Sequence, residues 1–427
     1  MKIIKEEIHW LKLGLVRQPI KKIKYKLSNF IVKTIIDNGF LLYNTVTGCL
    51  LFFEDELDFR RAQNKLISDW FYVPEDNFDE ILWVDFLRDK KRELLCNNTV
   101  QSYVIMTTMD CNARCFYCYE KGRKPTVMSL ETANDICDFI IKSATNNKVN
   151  ITWFGGEPLL NYRVIDFICK KLNQHNVHYI SKMISNGLLF SDDLIDHAIN
   201  IWNLKRVQIT LDGTEEVYLK TKAYKKSQGD EFERVIDNIQ HLLQNDIPIS
   251  IRLNQSLNNT MDLLNLADYI KEKFSRYRNL SVYNKLLFDE ILTPELQGAY
   301  FTLKHKLLEY GLLKIRIRET IRCTQCMADN NTSFVITPDG HLSKCEHFSD
   351  NNLIGTIYNP IVDTDMLKKY KQIYKPTELC RTCALYPSCI RLQICPSQLE
   401  ECSDFQRTDL LEDLNYLISD YYIRHKS

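Results

Sequence analysis

From residue 101 onward, short runs of apolar and β-branched residues alternate with longer stretches in which apolar positions recur every three or four residues. The short runs predict strands and the longer stretches predict helices. Such alternation is typical of a parallel α/β barrel, and we expect five or six strand–helix pairs. The predicted strands are 102–108, 149–153, 179–184, 206–211 and 247–253, and the predicted helices are 129–143, 162–173, 191–201, 231–244, 261–274 and 300–311.

The first 97 residues follow a different pattern. Three short apolar runs are separated by the turn signals Asn38-Gly39 and Thr47-Gly48, which predicts strands joined by tight turns. Two stretches with helical periodicity follow. We therefore expect a small α+β domain. The predicted strands are 29–36, 39–44 and 49–53, and the predicted helices are 56–70 and 78–95.

Length and composition narrow the class of protein. A chain of 427 residues is too long for one ordinary core and predicts two or three domains. Its 45% apolar and 26% charged residues are typical of a soluble globular protein, and its formal charge of zero argues against a nucleic-acid partner. No apolar window is long enough to cross a membrane, and the first ten residues lack a signal-peptide core. We expect a cytoplasmic protein that binds neither nucleic acid nor membrane.

Cysteine is the most informative residue type. Of fifteen cysteines, Cys111, Cys115 and Cys118 share one short loop, and eight lie between residues 323 and 402; in a reducing compartment they are not expected to form disulfides. A 4Fe-4S cube normally takes four cysteine ligands, so a three-cysteine loop leaves one iron open to a small molecule. The alternative is a zinc loop, which prefers four protein ligands. The remaining cysteines lie in apolar segments, where we expect burial: Cys49, Cys96, Cys137 and Cys169.

The stretch Met109-Asp-Cys-Asn-Ala-Arg-Cys-Phe-Tyr-Cys-Tyr119 resembles the signature of the radical S-adenosylmethionine (radical SAM) enzymes. The resemblance implies a 4Fe-4S cluster whose open iron binds the amino and carboxylate groups of SAM, with Tyr117 among the cofactor-binding residues. It also implies one-electron reduction of SAM and removal of a hydrogen atom from the substrate. An electron donor such as flavodoxin or ferredoxin would be a partner.

Two further predicted strands end in segments that resemble cofactor-binding segments of this family. A Gly-Gly-Glu-Pro turn resembles the segment that holds the cofactor's amino group; its glycines allow close backbone approach, and its glutamate is a suitable acceptor for an ammonium. A Ser-Asn-Gly turn resembles the segment whose polar side chains bond the ribose hydroxyls. The residues so assigned to cofactor binding are Gly155, Gly156, Glu157, Pro158, Ser185 and Asn186.

Arg252 is the cation that we expect to pair with the cofactor's carboxylate, because a guanidinium binds a carboxylate through two hydrogen bonds and keeps its proton. Ile251 and Leu253 alternate with it along the strand, which places Arg252 on the opposite face, toward the barrel lumen. Asp212, at another strand end, is interpreted as a turn former, with a place in the pocket wall as the alternative.

The C-terminal cysteines resemble those of the SPASM domain, which carries auxiliary 4Fe-4S clusters in many radical SAM enzymes that act on peptides and proteins. Two spacings depart from the family, since Cys389 and Cys395 are farther apart than usual and Cys323 and Cys326 are closer together. Structural zinc ribbons are the alternative. The resemblance implies one auxiliary cluster on Cys323, Cys326, Cys345 and Cys395, and a second on Cys380, Cys383, Cys389 and Cys402.

We therefore predict an α/β protein with a partial (β/α)6 TIM-like barrel at 98–315 and a winged-helix-like N-terminal α+β domain at 1–97. A SPASM domain at 316–405 and a C-terminal helix at 406–427 would follow. The N-terminal domain resembles the element that precedes many peptide-modifying radical SAM enzymes and adds a leader peptide as a strand to an open sheet edge. A cap that closes the barrel explains the same residues equally well.

The predicted function is maturation of a ribosomally made precursor peptide that carries a leader sequence. Eight auxiliary thiolates leave no auxiliary iron open for substrate, which favours electron removal and hence formation of a thioether or carbon–carbon cross-link. Glu346, next to Cys345, is available as a base and supports an alternative, sulfatase maturation through formylglycine. The non-enzymatic alternative is a scaffold protein whose cysteines bind structural zinc. An RNA-modifying enzyme is disfavoured by the lack of a basic surplus.

Overall fold

The structure of this chain, a computed structural model, forms two compact units. The first unit comprises Met1–Thr99, Ile315–Asp329 and Lys368–Ser427, and the second comprises Val100–Lys314 and Asn330–Leu367. The domain boundaries expected from the sequence stay predictions. The structure describes residues 1–5, 18–95, 100–288, 290–315, 320–322, 327–330, 332–348, 352–359, 363–370, 376–389 and 402–425.

The N-terminal part of the first unit is a small α+β assembly. Its elements are β1 (Lys2–Lys5), β2 (Tyr25–Leu27), β3 (Ile31–Ile36), β4 (Gly39–Asn44), β5 (Leu50–Phe53), α1 (Glu56–Arg61), α2 (Gln63–Ser68), β6 (Tyr72–Pro74) and α3 (Glu80–Leu95). Four strands form an antiparallel sheet in the order β1-β5-β4-β3. Gly39 and Gly48, at the turns of this sheet, have positive φ angles of 140° and 75°, which glycine adopts more readily than other residues. The three predicted strands are present, while the winged-helix assignment stays a prediction.

The second unit is an α/β fold around a central parallel sheet, which confirms the α/β part of the predicted fold class, while the partial (β/α)6 barrel stays a prediction. Its elements are β7 (Gln101–Thr108), α4 (Leu130–Ser143), β8 (Lys148–Gly155), α5 (Tyr162–Gln174), β9 (His178–Ser185), α6 (Asp192–Asn200), β10 (Leu204–Thr210), α7 (Glu215–Lys222), α8 (Glu231–Gln244), β11 (Ile249–Gln255), α9 (Thr260–Phe274), β12 (Leu280–Leu286) and α10 (Pro294–Glu309). Strands β7 to β12 lie side by side in chain order and are all parallel.

The strands of this sheet bury one face in the core and leave the other face partly open. On β8, Val149, Ile151 and Trp153 are buried in the large apolar core, whereas Asn150 and Thr152 between them are half-buried. This period of two is the alternation of a strand whose faces have different surroundings. Because all six strands are parallel, their carboxyl ends meet at one edge, where α/β folds carry their binding residues.

Three short strands extend the parallel sheet beyond β7. They are β13 (Phe334–Ile336), β14 (His341–Ser343) and β15 (Gly355–Thr356). Strand β13 runs parallel to β7 with Val335 opposite Val104, and β14 pairs antiparallel with β13. The segment that leads to Cys345 therefore belongs to the same sheet as the strand that leads to the three-cysteine loop.

The remaining helices are α11 (Thr364–Tyr370), α12 (Glu378–Arg381) and α13 (Asp404–His425). Helix α13 packs on the antiparallel sheet of the first unit, where Ile418 is fully buried in a cluster with Leu41 and Leu50. Among the helices that the structure describes, none has the length and apolar character needed to span a membrane.

Candidate active site

The three-cysteine loop follows β7 and is fixed by backbone hydrogen bonds to the chain after α7. The N–H of Arg114 donates to the carbonyl of Lys222 at 2.7 Å, and the N–H of Lys225 donates to the carbonyl of Asn112 at 2.7 Å. Ala223, between the two partners, has a φ angle of 44°, which turns the chain at the end of the helix. A segment about a hundred residues downstream in the sequence thus holds the loop in place.

The three thiols of the loop are close neighbours. All three cysteines are half-buried and free of disulfides. Burial, the charge of Glu157 and the thiols of Cys115 and Cys118 together raise the pKa of Cys111 to about 12. A cube binds each cysteine to a different iron, whereas zinc gathers its ligands around one point. Among the described residues, no group of three or more His, Cys, Asp or Glu side chains could hold a single metal ion.

Two buried polar atoms beside these cysteines lack a hydrogen-bond partner within the described part of the chain. They are the side-chain nitrogen of Asn112 and Oε1 of Glu120. Buried polar atoms are nearly always paired in folded proteins, so these two mark a place where a bound group would complete the hydrogen bonding. Three neighbouring thiols with unpaired polar atoms beside them fit a 4Fe-4S cluster with a small-molecule cofactor.

Gly155 and Gly156 pack against the start of the cysteine loop. A Cβ atom on Gly155 would lie 2.1 Å from the carbonyl oxygen of Thr108, and one on Gly156 would lie 2.2 Å from the carbonyl oxygen of Asp110. Gly155 also has a φ angle of 114°, which disfavours other residues. The close approach that the glycines permit is therefore to the backbone that precedes Cys111, and their contact with a cofactor stays a prediction.

Glu157 is fully buried and joins two of the predicted cofactor-binding turns. Its Oε1 accepts hydrogen bonds from the hydroxyl of Ser185 at 3.0 Å and from the N–H of Leu159 at 3.2 Å, and its Oε2 accepts from the N–H of Asn186 at 2.8 Å. Burial raises the pKa of Glu157 to about 7. With both oxygens used inside the protein, Glu157 acts here as a positioning residue.

Asn186 connects the second turn to the cysteine loop. Its side-chain amide donates to Oδ1 of Asn112 at 2.6 Å and lies 3.9 Å from the sulfur of Cys111. Pro158 is buried, and its carbonyl accepts a hydrogen bond from the hydroxyl of Thr107 at 3.1 Å. The structure thus brings the two turns and the three-cysteine loop together at the carboxyl ends of β7, β8 and β9.

A buried lysine, which the sequence analysis missed, lies beside the loop. Lys222 Nζ is 2.7 Å from Oδ2 of Asp212 and donates to the hydroxyl of Thr210 at 2.6 Å. The hydroxyl of Tyr117 donates to the same Asp212 oxygen at 2.6 Å. Asp212 therefore binds Lys222 and Tyr117 through its side chain, which goes beyond the role of a turn former, and its place in the wall of a cofactor pocket stays a prediction. The signal for Lys222 was its spacing of four from Tyr218, which puts both on one helix face.

Arg252 lies half-buried on β11, opposite the fully buried Ile251 and Leu253. Its Nε donates to Oδ1 of Asn254 at 2.8 Å, and the amide of Asn254 donates to Asp212 at 2.9 Å. Arg252 thus sits on the half-open face of the sheet and is linked to the buried ion pair. Its pairing with a cofactor carboxylate stays a prediction.

The segment after Cys345 lies against the three-cysteine loop. The rings of Tyr119 and His347 stack with centroids 4.0 Å apart, and an Nη of Arg123 donates to the carbonyl of Phe348 at 2.6 Å. Burial and the carboxylates of Glu120 and Glu346 raise the pKa of Tyr119. Glu346 is therefore near the loop that carries Cys118.

The other C-terminal cysteines that the structure describes are in the first unit. Cys380 and Cys389 are partly buried against an apolar cluster. Burial raises the pKa of Cys383, and the nearby thiols of Cys402 and Cys380 raise it further. Cys380, Cys383 and Cys402 are thus neighbours, and Cys389 packs against the same apolar cluster as Cys380. That these four cysteines bind one auxiliary cluster stays a prediction. Outside the described residues are Cys96, Cys323, Cys326 and Cys395.

Fold and site together define a parallel α/β protein with a three-cysteine loop at the carboxyl end of β7, the first strand in chain order of its parallel sheet. Residues 105–270 match the Radical SAM superfamily. Residues 105–270 thus form a radical SAM domain, and the enzymes that carry this domain use SAM and a 4Fe-4S cluster as cofactors. A non-catalytic zinc scaffold is set aside on this ground.

Relatives in sequence and in structure have different names. A GTP 3',8-cyclase from Clostridium perfringens strain SM101 is 23% identical over 296 residues, which cover 64% of this chain and 90% of the relative. Native anSMEcpe with bound AdoMet and a Kp18Cys peptide has a TM-score of 0.58 and 17% identity over 77% of this chain and 99% of that one. Streptococcus suis SuiB has a TM-score of 0.50 and is 12% identical, and the match covers 91% of this chain and 98% of SuiB. At these identities, the structural likeness shows a shared fold.

Proposed function

We propose that this radical SAM enzyme matures a ribosomally made precursor peptide by forming a thioether or carbon–carbon cross-link between two of its side chains. The observation that carries the proposal is the stacking of Tyr119, next to Cys118, on His347, two residues after Cys345. A cysteine of the first proposed auxiliary cluster thus lies beside the loop where the reaction begins. An auxiliary centre so placed would receive the electron that leaves an oxidised substrate.

Different residues of this chain would bind the cluster and the separate parts of the cofactor at the proposed site. When bound, the cluster on Cys111, Cys115 and Cys118 and the SAM beside it supply one-electron chemistry that removes a hydrogen atom from the substrate. The Gly-Gly-Glu-Pro and Ser-Asn-Gly turns would hold the amino group and the ribose. Arg252 would bind the carboxylate. The electron would enter from a flavodoxin or ferredoxin.

The N-terminal sheet supports recognition of a leader peptide. Its edge strands are β1 and β3, and Ile35 on β3 is 72% exposed. An extended peptide can add to such an edge through main-chain hydrogen bonds. We place the leader at β3, which is the longer of the two edge strands. The two auxiliary clusters assigned from the sequence belong to this proposal.

Formylglycine formation is the second candidate, and the position of Glu346 favours it. Glu346 directly follows Cys345, and its charge influences Tyr119 next to Cys118, so a carboxylate is available as a base near the proposed radical site. The structural likeness to anSMEcpe with a bound peptide supports a peptide substrate for either candidate.

Anaerobic incubation with SAM, a reductant and a candidate precursor peptide distinguishes the candidates by product mass. Cross-linking removes a pair of hydrogens without exchange of oxygen, whereas formylglycine formation yields an aldehyde that a hydrazide reagent traps. A parallel incubation with GTP covers the activity named for the sequence relatives. Conversion of GTP with no change in any peptide would overturn the maturase proposal.

A further inference from the structure

A tyrosine between two C-terminal cysteines is inserted into the core of the N-terminal α+β assembly. Tyr386 is 2% exposed and stacks on Phe30 with ring centroids 6.0 Å apart. It belongs to an apolar cluster with Val46 and Val84, against which Cys380 and Cys389 pack. The cysteine segment, defined here as residues 376–389, is thus seated on the N-terminal assembly by burial of apolar surface.

Polar contacts fix the backbone of the cysteine segment to the same assembly. The hydroxyl of Thr45 donates to the carbonyl of Ala384, next to Cys383, at 2.6 Å. An Nη of Arg88 donates to the carbonyl of Tyr386 at 3.0 Å. The hydroxyl of Tyr386 donates to Asp85 at 2.8 Å. Each bond ends on a backbone or side-chain group within three residues of a cysteine.

Arg88 is the centre of these contacts. Its side chain is 5% exposed, its guanidinium lies 5.0 Å from the ring centroid of Tyr386, and its Nε donates to the carbonyl of Arg322 at 3.0 Å. A buried guanidinium must satisfy its N–H groups inside the protein. Arg88 does so by pairing with Asp85 on its own helix and by donating to the backbones of two separate C-terminal segments, so its contacts fix those segments relative to the helix.

The fourth cysteine of the group depends on the same sheet. Cys402 lies two residues before α13, and α13 packs on the sheet through Ile418 and through Tyr422, whose ring stacks on Phe52 at 5.1 Å. The hydroxyl of Thr34 donates to Oδ1 of Asn415 at 2.7 Å. Docking of this helix therefore fixes where Cys402 can be.

We propose that residues 18–95 are the scaffold of a metal centre formed by Cys380, Cys383, Cys389 and Cys402, and that Arg88 is its positioning residue. Four cysteine thiolates complete the ligand set of one 4Fe-4S cube, and Cys380, which neighbours Cys383, packs against the same apolar cluster as Cys389. The identity of the metal rests on the proposed function, whereas the scaffold rests on the contacts above. Because the N-terminal fold and the bound metal favour the same arrangement, each stabilises the other.

The test uses the full chain, reconstituted anaerobically with iron and sulfide. Compared with wild type, Arg88→Ala should hold about four fewer irons per chain, and its four thiols should react with iodoacetamide as measured by peptide mass spectrometry. Arg92→Ala is the matched control, because Arg92 lies one turn along the same helix and bonds Asp89 on the surface. Arg92→Ala should retain the iron and the protection of wild type.

A second measurement guards against simple unfolding of Arg88→Ala. Tyr386→Phe removes one hydroxyl and keeps the ring, and Cys383→Ser removes one ligand and leaves the N-terminal residues intact. If the scaffold and the metal are linked, the amides of β3, β4 and β5 exchange faster in Cys383→Ser than in loaded wild type, and Tyr386→Phe loses the metal faster to a chelator. Equal exchange in Cys383→Ser and wild type would overturn the scaffold.

The remaining outcomes separate this proposal from the proposed function. Zinc bound at the four thiols in wild type and lost in Arg88→Ala would support the scaffold and overturn the auxiliary cluster. Full iron and protected thiols in Arg88→Ala would overturn the scaffold alone. Thiols that react freely in reconstituted wild type would overturn both.

Discussion

Lys222 and Asp212 form an ion pair of 2.7 Å in which both side chains are 1% exposed. Removal of a charge from water is costly, and a buried pair compensates for it only while both partners are present. This pair is linked to the three-cysteine loop, because the backbone N–H of Arg114 in that loop donates a hydrogen bond to the carbonyl of Lys222. The loop that would carry the cluster is therefore anchored to a buried charge.

Lys222→Met should lower the free energy of unfolding of the metal-free protein by about 3–5 kcal/mol, because the Asp212 carboxylate is left without its cation. Urea-induced unfolding measures the change. Lys225→Met is the matched control, since the pair of Lys225 with Asp110 is largely exposed and should contribute about 1 kcal/mol or less. If both variants unfold at the same urea concentration, the buried pair does not anchor the loop.

Gly156→Ala should displace the cysteine loop, because its methyl group would lie 2.2 Å from the carbonyl oxygen of Asp110. We expect loss of about four irons per chain, measured by iron analysis after reconstitution. The control is Gly298→Ala in α10, where no atom lies within 4 Å of the added methyl group; it should keep the iron and gain up to about 1 kcal/mol in stability. Full iron in Gly156→Ala would show that the loop tolerates the displacement.

The buried carboxyl of Glu157 predicts a pH dependence of stability. Burial raises its pKa from 4.5 to about 7 in the folded protein, so between these values the folded state binds a proton that the unfolded state has released. The stability of the metal-free protein should therefore fall as the pH rises from about 4.5 to about 7. Glu157→Gln should remove this part of the profile. A profile identical to that of wild type in urea unfolding at several pH values would contradict the assignment.

The local elements of the second unit were predictable from sequence because their periodicity is strong. The strand at Lys148–Gly155 follows from apolar residues at every second position, and the helix at Glu231–Gln244 follows from apolar residues that recur every three or four positions. Strand β12, Leu280–Leu286, was missed because polar residues interrupt its apolar positions. The three-cysteine motif was visible because its ligands are close together in the chain.

The remaining relationships depend on long-range packing. Val335 pairs with Val104 across more than two hundred residues, and no local pattern specifies such a partner. The glycines of the Gly-Gly-Glu-Pro turn signalled a close approach, but only the fold shows that the nearby backbone is that of Thr108 and Asp110. In the sequence, Lys222 does not differ from an ordinary surface lysine of a helix, and only the fold shows that it is buried beside Asp212.

Glu346→Gln tests the proposed base and should separate two steps of the reaction. Removal of the carboxylate leaves the three-cysteine loop unchanged, so reductive cleavage of SAM, followed as release of 5'-deoxyadenosine, should persist. Formation of modified peptide should fall by about 10²–10⁴-fold, the usual contribution of a positioned base. Glu309→Gln, an exposed glutamate at the end of α10, is the control and should leave both measurements unchanged. A parallel fall of cleavage and product in Glu346→Gln would mean that Glu346 acts in cofactor binding, whereas unchanged product would leave it with no part in the reaction.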